Sequence, residues 1–139
     1  MSHSKRIKAV VLTTLLLFGG AVFAQTAQVK LAAVNEVPPT DSAASALADI
    51  TVAADKSVSG SITTTGIVGT MAHIHLGAAG ANGPVIVSLS KNGDGQWIVP
   101  SSAKFTDEQY AAYRTGGLYV NVHSSAHPGG EIRGQLLPQ

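Results

Sequence analysis

The chain has no cysteine, and that absence removes two options at once. Without disulfides the fold must be held by packing alone, and without thiolates a structural zinc site of the Cys type or a blue-copper centre is disfavoured. Charge is scarce as well, with 12% of residues charged. Three of the nine basic residues are Lys5, Arg6 and Lys8, so from Gln25 onward six basic residues face eight acidic ones, a net charge near −2 with neutral histidines. No Lys/Arg cluster is left for nucleic acid or for an anionic membrane surface. Aromatics make up 5%, and Trp97, Tyr110 and Tyr113 are read as packing residues that close a core rather than as a ligand platform.

A long apolar run is missing too. Ala9 to Phe18 spans about ten residues, well short of the roughly twenty that cross a bilayer. With Lys5, Arg6 and Lys8 before it and Gly19-Gly20 and Val22-Phe23-Ala24 after it, the segment has the three-part layout of a secretory signal. The expectation is a signal peptide over 1–24, a single domain over 25–139, export to the periplasm or the extracellular space, and no stable membrane span after cleavage. An uncleaved anchor is the rival reading. The 115 residues that remain (139 less 24) are enough for one sandwich-sized core.

What the chain does have is short alternating segments separated by turn chemistry. Ala27–Val34, Ala46–Ala54, Ser57–Thr65, Met71–Leu76, Leu118–His123 and Glu131–Leu136 read as strands. Pro38-Pro39 rules out a central strand at that point. Gly77–Pro84 is a loop, and Asn92-Gly93-Asp94-Gly95 is a tight turn that predicts a hairpin between Val85–Leu89 and Gln96–Val99. Thr106-Asp107-Glu108-Gln109 is a capping-box pattern, and Gly116-Gly117 ends the short helix it begins. Many short strands and one small helix predict an all-β, antiparallel β-sandwich.

Period-two geometry gives the candidate site. In Met71–Leu76 the side chains of Met71, His73 and His75 share one face, and Ala72, Ile74 and Leu76 share the other. In Leu118–His123, Tyr119, Asn121 and His123 lie opposite Leu118, Val120 and Val122. In the last strand Glu131, Arg133 and Gln135 point outward, where an exposed ion pair of little energetic worth is the default. If these strands are neighbours, one polar face collects His73, His75 and His123, with His127 on the following Pro-Gly-Gly turn as a fourth nitrogen or a gate. Imidazole suits copper and zinc, so a divalent Cu or Zn site is the concrete reading. The competing reading is a structural network in which His73 or His75 hydrogen-bonds Glu131 or the Asn121 amide and fixes strand register. Acid–base catalysis is the third. No Ser-His-Asp set, paired-carboxylate site or phosphate loop is legible.

Taken together, Glu36-Val37-Pro38-Pro39, Ala72-His73-Ile74-His75-Leu76-Gly77, Asn82-Gly83-Pro84-Val85, Tyr119-Val120-Asn121-Val122-His123 and His127-Pro128-Gly129-Gly130-Glu131-Ile132-Arg133-Gly134-Gln135-Leu136 resemble the CHRD (chordin-type) domain. The resemblance implies an immunoglobulin-like sandwich distantly similar to copper/zinc superoxide dismutases, in an exported bacterial single-domain protein, and it implies no settled activity. Dismutase chemistry itself is disfavoured, since Gly77–Pro84 holds neither His nor Asp and there is no cysteine. The leading expectation is a non-enzymatic binding module with a Cu/Zn site. The alternatives are a structural or adhesive module that contacts an envelope or extracellular protein, and a metal-dependent oxidoreductase.

Overall fold

Residues 24–139 are described by the computed structural model; the expected signal segment falls outside them except for Ala24. Strands β1 (Gln25–Ala32), β2 (Ser45–Val52), β3 (Val58–Thr65), β4 (Gly69–Leu76), β5 (Val85–Ser88), β6 (Ser90–Lys91), β7 (Gln96–Ile98), β8 (Leu118–Ser124) and β9 (Ile132–Leu136) are joined by one 3-10 turn at Ala33–Asn35 and one helix, α1 (Asp107–Arg114). Among the described residues no helix is long and apolar enough to cross a membrane.

All pairings are antiparallel, in the order β5-β4-β8-β9-β1-β2-β3-β7-β6. The ladder is nearly cut in the middle, because β1 and β9 share the single register pair Ala32↔Arg133. The result is a sandwich of β5-β4-β8-β9 against β1-β2-β3-β7-β6, the expected all-β class. Strand alternation dictates the filling: β2 buries Ala46, Ala48, Ile50 and Val52 and exposes or half-exposes the residues between them. The opposing sheet contributes Ile74, Val120, Val122, Ile132 and Leu136 to the same core. Trp97 bridges the layers, since a Cβ on Gly69 would lie 3.0 Å from Trp97 Cζ2 and 3.1 Å from Val122 Cγ1. Its role as a packing residue is as expected, and Tyr113 is buried as well.

The hairpin departs from the pairing that its turn predicts. The Asn92–Gly95 turn does make a hairpin, but its arms are β6 and β7, whereas Val85–Ser88 pairs with β4 in the other sheet. Leu89, buried between β5 and β6, carries the chain from one layer to the other, and its N–H donates to Ala72 O at 2.9 Å. Sandwich corners are made by strands that switch sheets in this way. The helix follows its sequence signal: the Thr106 hydroxyl accepts from the Gln109 N–H, the Gln109 side chain accepts from the Thr106 N–H, and Lys56 pairs with Asp107 at its first turn.

Gly134 marks the point where the layers meet. A Cβ there would lie 2.5 Å from both Lys30 O and Val29 Cγ1, and the backbone oxygen has no room to give. Gly134→Ala is expected to cost about 1–3 kcal/mol in urea unfolding. Gly129→Ala, where an added Cβ meets nothing within 4 Å, is expected to stay within about 0.5 kcal/mol of the parent.

Candidate metal centre

The outer face of β4, β8 and β9 is not the open polar surface that alternation alone suggests. Every residue of β8 is buried, because two loops lie across this face as a roof. Arg133, expected to point into solvent beside Glu131, is 2% exposed and is the residue that fastens the roof. Its Nε donates to Glu36 Oε2 at 3.1 Å, its Nη1 to Ala81 O at 2.9 Å and its Nη2 to Asn82 Oδ1 at 2.5 Å. The guanidinium carbon sits 3.7 Å from the Tyr119 ring centroid. Asn82 in turn donates to Val37 O at 2.8 Å, which ties the 77–84 loop to the 36–40 loop. Glu131 takes no part in this pair and accepts from Ser42 Oγ instead.

Beneath the roof the three histidines meet. Register sets His73 opposite Asn121 and His75 opposite Tyr119 on the β4–β8 pair. One ligating nitrogen from each of His73, His75 and His123 can be chosen so that all lie within 4.8 Å of one another. His73 Nδ1 and His123 Nε2 are 3.0 Å apart. His75 stacks on Tyr119 with ring centroids 4.6 Å apart, so its plane is fixed from below.

The backbone decides the tautomers. His75 Nδ1 is 2.8 Å from Gly83 O, and His123 Nδ1 is 2.9 Å from Pro128 O. A carbonyl oxygen only accepts, so both Nδ1 atoms carry the proton and donate. In the neutral rings both Nε2 atoms then carry bare lone pairs. Asn121 Oδ1 stands 3.0 Å from His75 Nε2 and 3.1 Å from His123 Nε2. Three lone-pair atoms therefore converge where the His73 ring supplies one N–H. A cation at their centre relieves that excess, and a ring N–H bonded to a backbone carbonyl is the usual way a metal-binding histidine is oriented.

The orientation of the Asn121 amide is set from behind. A Cβ on Gly130 would lie 2.5 Å from Glu36 Oε1 and 2.8 Å from Asn121 Nδ2. The amide nitrogen thus faces the carboxylate side, and turning the amide over would bring Oδ1 toward Glu36 Oε1, a buried oxygen with no hydrogen-bond partner. Gly130 has φ +127°, a conformation open to glycine, and its missing side chain leaves the gap between the two groups.

Burial favours the neutral form of His73 and His75. Desolvation, with smaller contributions from His123 and His75, lowers the His73 pKa from 6.5 to about 4. Burial also lowers His75, against the opposing pull of its bonds to Gly83 and Asn121. Neutral imidazole is the form that ligates a metal.

His127 does not join the other three. It is half-buried on the turn between β8 and β9, where its backbone carbonyl accepts from Gly130 N at 3.0 Å, and it lines a separate cleft of about 470 Å³ with Glu36, Thr40 and Asp41. Alternation in the strands could not reveal the parts played by Gly83 O, Pro128 O and Glu36. Their trace in the sequence is the clustering of Gly and Pro in the two loops that supply the carbonyls, together with the segments holding Glu36, Gly83 and Pro128 that carry the family resemblance.

A cysteine-free antiparallel sandwich with a roofed, histidine-lined sheet face is the class this geometry defines. The chain belongs to the CHRD domain family, whose model matches residues 27–136. Neither a curated protein nor a solved structure matches the chain.

Two outcomes follow from the roof and the rings. Arg133→Met strands the buried Glu36 carboxylate and is expected to cost about 3–5 kcal/mol, part of which the double variant Glu36→Met/Arg133→Met restores; urea unfolding at pH 7 measures both. A folded-state His73 pKa below its unfolded value means that the unfolded chain binds more protons. Stability is therefore complete above about pH 6.5 and falls as the pH drops toward 4. Urea midpoints at pH 7.5, 5.5 and 4.5 are expected to show this slope, reduced in His73→Asn.

Proposed function

We propose that this CHRD protein is an exported, non-enzymatic binding module, active in the periplasm or outside the cell, that holds one Cu(II) or Zn(II) ion through His73, His75 and His123. The observation that carries the reading is the pair of imidazoles whose Nδ1 protons are committed to Gly83 O and Pro128 O, leaving both Nε2 lone pairs aimed toward Asn121 Oδ1 and the third ring. Three imidazoles form a donor set suited to either metal. A tetrahedral centre with bonds of about 2.0–2.1 Å needs nitrogens about 3.4 Å apart. The 3.0 Å between His73 and His123 and the 4.8 Å limit on the set bracket that value. Closing on an ion then requires His73 to move its proton from Nδ1 to Nε2 and the widest pair to draw together by less than about 1.5 Å.

The same hydrogen bonds favour a second reading, in which the rings are only a structural network that fixes β4 against β8 and the module works by contact with an envelope or extracellular protein. Titration separates the two. Calorimetry of metal-free protein with Cu(II) and with Zn(II) is expected to show saturable 1:1 binding that His75→Ala/His123→Ala abolishes. At an ion concentration about a hundred times Kd, the bound metal is expected to raise unfolding stability by about 2.7 kcal/mol. An absence of saturable binding, or equal binding by the double variant, leaves the structural reading in its place.

A further inference from the structure

The chain contains two methionines, Met1 and Met71, so the segment after Ala24 has a single thioether. Its place in the strand register is what matters. Met71 is 45% exposed and is not part of the hydrophobic core. It shares the outer face of β4 with His73, two residues on, and register sets it directly across from His123 on β8. Facing residues of an antiparallel pair have Cβ atoms about 4.5–5.5 Å apart. Methionine, unbranched and with a flexible thioether, spans such a gap readily. His75 and His123 are 7% and 6% exposed, whereas His73 is half-buried and Met71 exposed, so the two more open members of the group are neighbours on β4.

We propose that Met71 is a thioether ligand at the mouth of the histidine centre and makes that centre selective for Cu(I) over Zn(II). The inference rests on the reading of His73, His75 and His123 as metal ligands and extends it to the identity and oxidation state of the ion. Thioether sulfur is a soft donor that selects Cu(I), while imidazole alone does not choose between copper and zinc. Met71 is one of six large apolar side chains exposed among the described residues, so exposure alone does not single it out; its register with His123 and its sulfur do. The arrangement assigns separate tasks: the two roofed rings, held by backbone carbonyls, form the floor, while His73 and Met71, the more exposed pair, form the rim through which the ion enters.

The test uses the chain from Gln25 onward and its Met71→Leu variant, a volume-conserving change at an exposed site that keeps the fold. Cu(I) affinity is measured anaerobically by competition with bicinchoninate, and Zn(II) affinity by calorimetry. Met71→Leu is expected to weaken Cu(I) by about tenfold or more, about 1.4 kcal/mol, to leave Zn(II) within about twofold, and to remove a sulfur neighbour from the copper X-ray absorption spectrum. Cu(I) affinity within about twofold of the parent, or an equal loss for both ions, overturns the role of Met71 while leaving the imidazole centre standing. A parent protein that binds neither ion saturably overturns the centre and this inference together.

Discussion

A buried guanidinium is tolerated only when its donors are satisfied, and Arg133 meets that demand by drawing two loops down onto a sheet. With Glu36 on one side, Ala81 and Asn82 on the other and Tyr119 beneath, its hydrogen bonds reach segments far apart in the chain. The loops so held are the ones that wall in the histidines. Gly83, whose carbonyl orients His75, sits one residue beyond Asn82, and Glu36, which faces the Asn121 amide nitrogen across Gly130, is the partner of Arg133 itself. The geometry around His75 and Asn121 is therefore subordinate to one buried guanidinium, while His123 is oriented separately by Pro128 O.

Glu36 Oε1 shows the other side of this dependence. A buried carboxylate oxygen without a partner is costly, and its retention is intelligible if its field keeps the Asn121 amide turned with oxygen toward the rings. An amide free to turn over would donate to both Nε2 atoms and fill their lone pairs with protons. The orphan oxygen then favours a face that is rich in acceptors and poor in donors, at some expense to the stability of the fold.

Much of this was legible in the sequence. The alternation in Met71–Leu76 and Leu118–His123 placed the imidazoles on one face because period two leaves no other choice once the apolar residues go inward, and the Thr106/Gln109 capping box marked the helix. Two kinds of fact were not legible. The switch of sheets at Leu89 depends on which layer offers a partner to Val85–Ser88, and a tight turn between two apolar runs looks the same in either case. The burial of Arg133 depends on Glu36, 97 residues away in the chain, and local alternation can assign a residue to the outside of a sheet without showing whether something covers that outside. The backbone carbonyls that set the tautomers are hidden for the same reason, since every residue has one and only the fold selects which will matter.

The passage of the chain through Leu89 has a consequence for how such molecules crowd together. An open sandwich ordinarily exposes a border on each sheet, and each border can template a neighbour. Here the two outermost strands, β5 and β6, follow one another along seven residues, Val85 to Lys91, so both borders lie on one side of the body and are four and two residues long. At these two borders a neighbour meets little unpaired main chain from which a fibril could start, which leaves β1, joined to β9 by Ala32 alone, as the longer open edge.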